Sequence, residues 1–183
     1  VLIMAERETP ASKDAVFTLG KAIAADTHHP PEPALVKMLP LDIDAVWKLR
    51  VDRLSFFRSH LVLNSIYYLS HENILDLGLS AEAVSAPYEN IAGSGDPNRS
   101  QLLLVRYENP ERALQALNRF HDAYLPGYNK TITADTAADS PSLFKLEDGW
   151  LAYKQLGKHI AILFECPDPE SARVILRENE SNL

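Results

Sequence analysis

Hydrophobic residues in this chain gather into short solid runs and longer spaced stripes, and the two patterns alternate. The runs Val1–Ala5, Leu102–Val105 and Ile160–Phe164 are rich in strand formers and too short for helices. Each is followed within a few residues by a helix-start signal: Thr9-Pro10, Asn109-Pro110-Glu111 and Asp168-Pro169-Glu170. Thr, Asn and Asp carry side-chain oxygens that accept a free backbone N–H at a helix start. Proline suits the first helical position, where its missing donor costs nothing. A glutamate in the first turn suits the positive end of the helix dipole.

Amphipathic stripes follow these signals. Val16, Leu19 and Ile23, widened by Ala15 and Ala22, mark the first helix. Ala113, Leu117, Phe120 and Tyr124, with Leu114 beside them, mark the second, which Pro126-Gly127 ends. Ala172, Ile175 and Leu176 mark the third. Two of the strands have a hairpin partner upstream. Trp150–Gln155 leads through Leu156-Gly157-Lys158 into Ile160–Phe164. Ala83–Glu89, alternating Val84, Ala86 and Tyr88, leads through the loop Gly93-Ser94-Gly95-Asp96-Pro97-Asn98 into Leu102–Tyr107.

The repeat predicts an α+β fold: a mainly antiparallel sheet with helices on one face, built from strand-strand-helix units as a two-layer sandwich. It divides the chain into a strand-helix tail with linker over 1–35, a middle segment over 36–81, and a ββαββα unit over 82–183, with Pro30-Pro31-Glu32-Pro33 as the linker. In the middle segment Arg53–Arg58 reads as a strand and His60–Leu69 as either helix or strand. The run Val1–Ala5 opens the chain as an apolar strand without an upstream partner, which reads as the tail of an earlier unit. Such an edge has three partners open to it: the sheet of the 82–183 unit, a middle-segment strand such as Arg53–Arg58, or a second chain; the repeat disfavours the first, and the expectation is a homodimer through it.

The chain has 183 residues, 46% of them hydrophobic, enough for a sizeable core. Its net charge of −7 lacks the footprint of a nucleic-acid binder and opposes a polybasic membrane-surface role. No apolar stretch reaches membrane-span length; Leu61–Leu69 comes nearest and holds Asn64 and Ser65. No signal peptide is present in the chain. Cys166 is the single cysteine, so an intrachain disulfide is excluded.

The stretch Phe56-Phe57-Arg58-Ser59-His60-Leu61-Val62-Leu63-Asn64-Ser65-Ile66-Tyr67-Tyr68-Leu69, continued by His71-Glu72-Asn73-Ile74-Leu75 and by Leu102–Tyr107 with its proline-started helix, resembles an uncharacterised bacterial family whose members are commonly exported. The resemblance implies an exported location, periplasmic or extracellular, and a chain that is the carboxy-terminal larger part of fuller members. It implies no reaction.

Motifs for catalysis are sparse. His28-His29 reads as a pair of solvated loop histidines. His60 and His71, with Glu72, lack a zinc-binding spacing, so neither metal nor cofactor is expected. Cys166 lies near a helix start, which could lower its pKa, but reads as a small buried residue at a strand end. No G-x-S-x-G elbow is present. Gly93-Ser94-Gly95 is a hairpin loop rather than a phosphate cradle, because Asp96 would repel phosphate. The remaining constellation is aromatic and polar. Arg58, His60, Asn64, Tyr67, Tyr68, Glu72 and Asn73 are the candidate ligand-binding residues; the competing reading is core packing, with Asn64 and Asn73 bonded to loop backbone. The leading expectation is a non-catalytic exported binding or structural module; the alternative is an enzyme with a site in the 56–73 segment, with metal assistance through His60, His71 and Glu72 as one form of it.

Overall fold

The computed structural model describes residues 7–25, 31–92, 98–128 and 140–183. It divides into two units, Val1–Glu32 and Pro33–Leu183. Within the first, α1 spans Pro10–Ala25. The Ser12 amide donates to Thr9 Oγ1 at 3.1 Å and the Thr9 amide to Ser12 Oγ at 2.8 Å, a reciprocal cap of the expected helix start. Its apolar stripe is in place, but α1 buries no residue, and Phe17, Leu19 and Ile23 are exposed. The expected strand at Val1–Ala5, with the dimer edge it would offer, and His28-His29 lie outside the described residues.

The second unit runs α2 (Ala34–Lys37), β1 (Asp42–Ile43), β2 (Trp47–Leu49), a 3-10 turn (Val51–Arg53), β3 (Ser55–Phe57), α3 (His60–Ile66), β4 (Glu82–Asn90), β5 (Arg99–Arg106), α4 (Pro110–Tyr124), β6 (Ser142–Leu146), β7 (Gly149–Leu156), β8 (His159–Cys166) and α5 (Pro169–Glu180). The strands form one antiparallel sheet in the order β1-β2-β4-β5-β8-β7-β6, with β3 pairing alongside β4. The α+β class and the antiparallel sheet are as the alternation predicts. Both cap signals work: Asn109 accepts from the Arg112 amide at 2.9 Å, and Asp168 from the Ser171 amide at 2.8 Å. The second of the expected repeats carries a further strand, β6, so the 82–183 region reads ββαβββα.

The helices do not share one face, which corrects the two-layer expectation. Leu103, Val105, Ile160, Ile162 and Phe164 pack with Ala113, Leu117 and Phe120 of α4. Their strand neighbours Leu102, Leu104, Ala161 and Leu163 point the other way and pack with Ala172, Ile175 and Leu176 of α5. The sheet is the middle of three layers, with a core on each side. Fully burying one of these larger side chains contributes about 1.5–3 kcal/mol as an upper figure.

A β-bulge accounts for the difference between the two repeats. Between the pairs Trp150↔Cys166 and Ala152↔Leu163, β7 places one residue opposite two of β8. Glu165 takes a left-handed backbone, φ 57°, to absorb the extra residue. The alternation therefore flips: Phe164 faces α4, whereas Cys166 joins the core on the α5 side. In β5 no such shift occurs, and Tyr107 stays on the α4 side with Val105. One inserted residue sends the chain to the opposite face after β8.

The middle segment joins the same sheet. β2 and β3 both pair with β4, at its end and its beginning respectively. Two buried tyrosines tether its loops from the two faces: Tyr107 donates its hydroxyl to the Leu75 carbonyl at 2.7 Å, and Tyr88 to the Pro40 carbonyl at 2.9 Å. No helix among the described residues is long and apolar enough to cross a membrane.

Candidate functional site

The candidates of the middle segment do not converge on one point. Ser59 caps α3 by accepting from the Leu61 amide at 3.2 Å, which places His60 at the helix start. Asn64 donates to the Ser70 carbonyl at 2.7 Å and accepts from the Leu69 amide at 3.1 Å, so both ends of its amide hold the chain leaving α3. Asn73 does the same in the next turn, clasping Leu77 through its carbonyl at 2.8 Å and its amide at 2.9 Å. Each amide thus braces its own loop through one donor and one acceptor. Arg58 donates to the Leu79 carbonyl at 3.1 Å and pairs with Glu82, which Arg106 approaches from the other side. Tyr68 is exposed and meets His71 edge-on, ring centroids 5.6 Å apart. Glu72 is exposed. No three His, Cys, Asp or Glu side chains among the described residues gather closely enough to hold a metal ion.

Tyr67 reaches across to α4 and β8. Its ring lies on Phe164, centroids 4.8 Å apart, over the bulge in β8. Tyr124 packs on the same Phe164 ring, centroids 5.9 Å apart, so the two tyrosines sit side by side over the residue that precedes Glu165. Tyr124 comes from the last turn of α4 and stacks on Phe120 at 5.2 Å. Burial pushes both phenols up, with the negative charges of Glu165 and Asp148 acting in the same direction. Two phenols, two carboxylates and the aromatic faces beneath them form a half-buried surface of negative character. The left-handed backbone of Glu165 is the same feature that turns its carboxylate away from the core and toward Tyr67. Strain at a non-glycine residue marks a position held by its surroundings.

Sequence reasoning placed Tyr67 among the candidates and missed its partners. The spacing puts Tyr124 on the core stripe of its helix, and Glu165 lies at the end of an apolar run where nothing local announces a bulge. Asp148 precedes Gly149 in the β6–β7 turn; this Asp-Gly pair was the one available signal.

A second constellation is buried on the same face. The Tyr153 hydroxyl and His121 Nδ1 are 2.8 Å apart, and His121 Nε2 lies 2.7 Å from the Tyr128 carbonyl. A carbonyl only accepts, so Nε2 carries the proton and Nδ1 accepts from Tyr153. Burial pushes the Tyr153 phenol up to about 12, opposed by its hydrogen bond with Ser142. Ser, Tyr and His together suggest nucleophilic chemistry. All three side chains are buried, and the imidazole uses both nitrogens within the fold. The chain ties β6 and β7 to the end of α4. Cys166 is also sealed: it is buried, and burial pushes its thiol up, away from the reactive thiolate.

Compared with family models, with curated proteins and with solved structures, the chain matches none.

Proposed function

We propose that this protein is a non-catalytic binding module and that the tyrosine-lined bulge receives a positively charged group of its ligand. The observation that carries the reading is the packing of Tyr67 and Tyr124, from α3's end and α4, on Phe164 of β8, beside the left-handed Glu165 whose charge acts on both phenols. Aromatic faces beside carboxylates favour an ammonium or guanidinium over an anion or an apolar group. The imidazole and hydroxyl that could do covalent chemistry are buried and bonded to each other, and the thiol is buried. In keeping with the resemblance of the Phe56–Leu69 stretch, the reading places the module among exported proteins; cell fractionation tests that location.

Titration of isotope-labelled protein with protonated n-butylamine and with tetramethylammonium tests the binding role. Saturable shifts confined to Tyr67, Tyr124, Asp148 and Glu165 are the expected result. Glu165→Gln should weaken them by about 1 kcal/mol or more. Shifts that grow linearly, or that survive both Glu165→Gln and Tyr124→Leu, would remove the reading.

A further inference from the structure

Lys154 is the anomalous residue of the opposite face. It sits in mid-strand on β7, one alternation beyond Ala152, on the side where α5 packs. An apolar side chain would suit that position; the lysine side chain is instead 9% exposed. Its ammonium is gripped by both carboxylate oxygens of Glu180, at 2.8 and 2.7 Å. The pair lies in a pocket of about 260 Å³ between α5 and the β6–β7 edge, lined by Pro141, Lys154, Glu170, Arg173, Leu176, Arg177 and Glu180.

The pocket has three cations. Arg173 is paired with Glu170 at 3.3 Å, and Arg177, among the described residues, with Glu178 at 3.5 Å, with both arginine side chains more than half exposed. Pro141 and Leu176 contribute apolar wall. Glu180 is the final residue of α5, where the negative end of the helix dipole repels a carboxylate. Glu178 adds a second negative charge in the same turn. The group seated on the buried ammonium is thus held at a place the helix itself disfavours, and it is 43% exposed.

We propose that the pocket is a binding site for a short-chain monocarboxylate, with Lys154 receiving the carboxylate and Glu180 acting as an internal plug that the ligand displaces. The ligand carboxylate takes the two-oxygen contact now made by Glu180. Arg177, the more loosely held of the two rim arginines, adds a second donor. The alkyl chain lies on Leu176 and Pro141. The volume admits a ligand of a few carbons, below the range of drug-sized sites. Glu170 and the released Glu180 disfavour a dianion. The site is on the face opposite to Tyr67 and stands independently of the cation-binding reading.

The test is a titration of isotope-labelled protein with sodium acetate, sodium butyrate and inorganic phosphate, with chloride holding the ionic strength. Saturable shifts at Lys154, Arg177 and Leu176 are expected. Butyrate should bind more tightly than acetate, by up to roughly fourfold per buried methylene. Glu180→Gln removes the plug's charge and should tighten acetate binding several-fold, because the competent state becomes more populated. Lys154→Met should abolish it. Arg177→Gln, a surface change that leaves the core intact, should weaken it and serves if Lys154→Met does not fold. Wild-type shifts that match those from chloride alone overturn the proposal. So does unchanged or weaker acetate binding in Glu180→Gln, which would make the pair purely structural. Tighter saturation by phosphate than by either carboxylate overturns the choice of ligand.

Discussion

Gly149 and Glu165 approach each other closely at the β7–β8 bulge, and both have a positive φ. A β-carbon on Gly149 would stand 2.9 Å from the Cys166 carbonyl oxygen and 3.1 Å from Glu165 Cα. The backbone of Gly149 is at φ 139°, which an L side chain rarely adopts. Gly149→Ala should therefore cost about 1–3 kcal/mol, measured as a lower urea midpoint at unchanged slope. A midpoint within error of wild type would show that the bulge relaxes without loss.

Glu165 has the complementary test. Asparagine tolerates the left-handed region, so Glu165→Asn should leave the urea midpoint within about 0.5 kcal/mol of wild type. Valine, β-branched, should cost about 1–2 kcal/mol more at the same position. Equal stability of the two variants would mean that the residue does not hold φ 57° in solution.

The two asparagines of the middle segment act as braces. Asn64→Ala removes bonds to Ser70 and Leu69, and Asn73→Ala removes both bonds to Leu77. Each leaves partly buried backbone groups without a partner, at about 1–3 kcal/mol. Hydrogen exchange should speed up at Leu69 and Leu77 in the respective variants. Unchanged protection at both amides would show that the side chains follow the loops rather than fix them.

His159 sets an acid limit to stability. It is 7% exposed, and burial holds its imidazole below the ordinary histidine value, with Lys158 and Arg106 acting in the same direction and a hydrogen bond that the imidazole donates to the Leu156 backbone opposing them. Glu82, paired with Arg106, is the acid next along this row of strands. A histidine with a depressed folded pKa is neutral in both states above about pH 6.5, where its full contribution is present. That contribution is lost as pH falls from about 6.5 through the folded value, because the unfolded chain takes up the proton first. Each tenfold difference in proton affinity is worth about 1.4 kcal/mol. Urea midpoints of wild type should drop between pH 6.5 and 5, and His159→Leu should flatten that drop. Parallel profiles would place the acid sensitivity elsewhere.

What the sequence determined by itself is what depends on neighbours a few residues away. The alternation of Val84, Ala86 and Tyr88, the turn at Gly157, and the caps Asn109 and Asp168 each act locally, and each stands where the pattern puts it. The short-range bonds of Asn64 and Asn73 were legible for the same reason, as the packing reading of those residues. The tertiary structure decided which face each helix covers. Successive strand-strand-helix units turn to opposite sides because Glu165 adds one residue to β8, where Gly149 on the neighbouring strand leaves room for the backbone. It also decided the candidate sites. Tyr67 meets Tyr124 and Glu165, and Lys154 meets Glu180, across separations that no local propensity encodes. Each pairing follows from the register and the faces on which the elements pack, and a shift of one residue in the ladder would undo both.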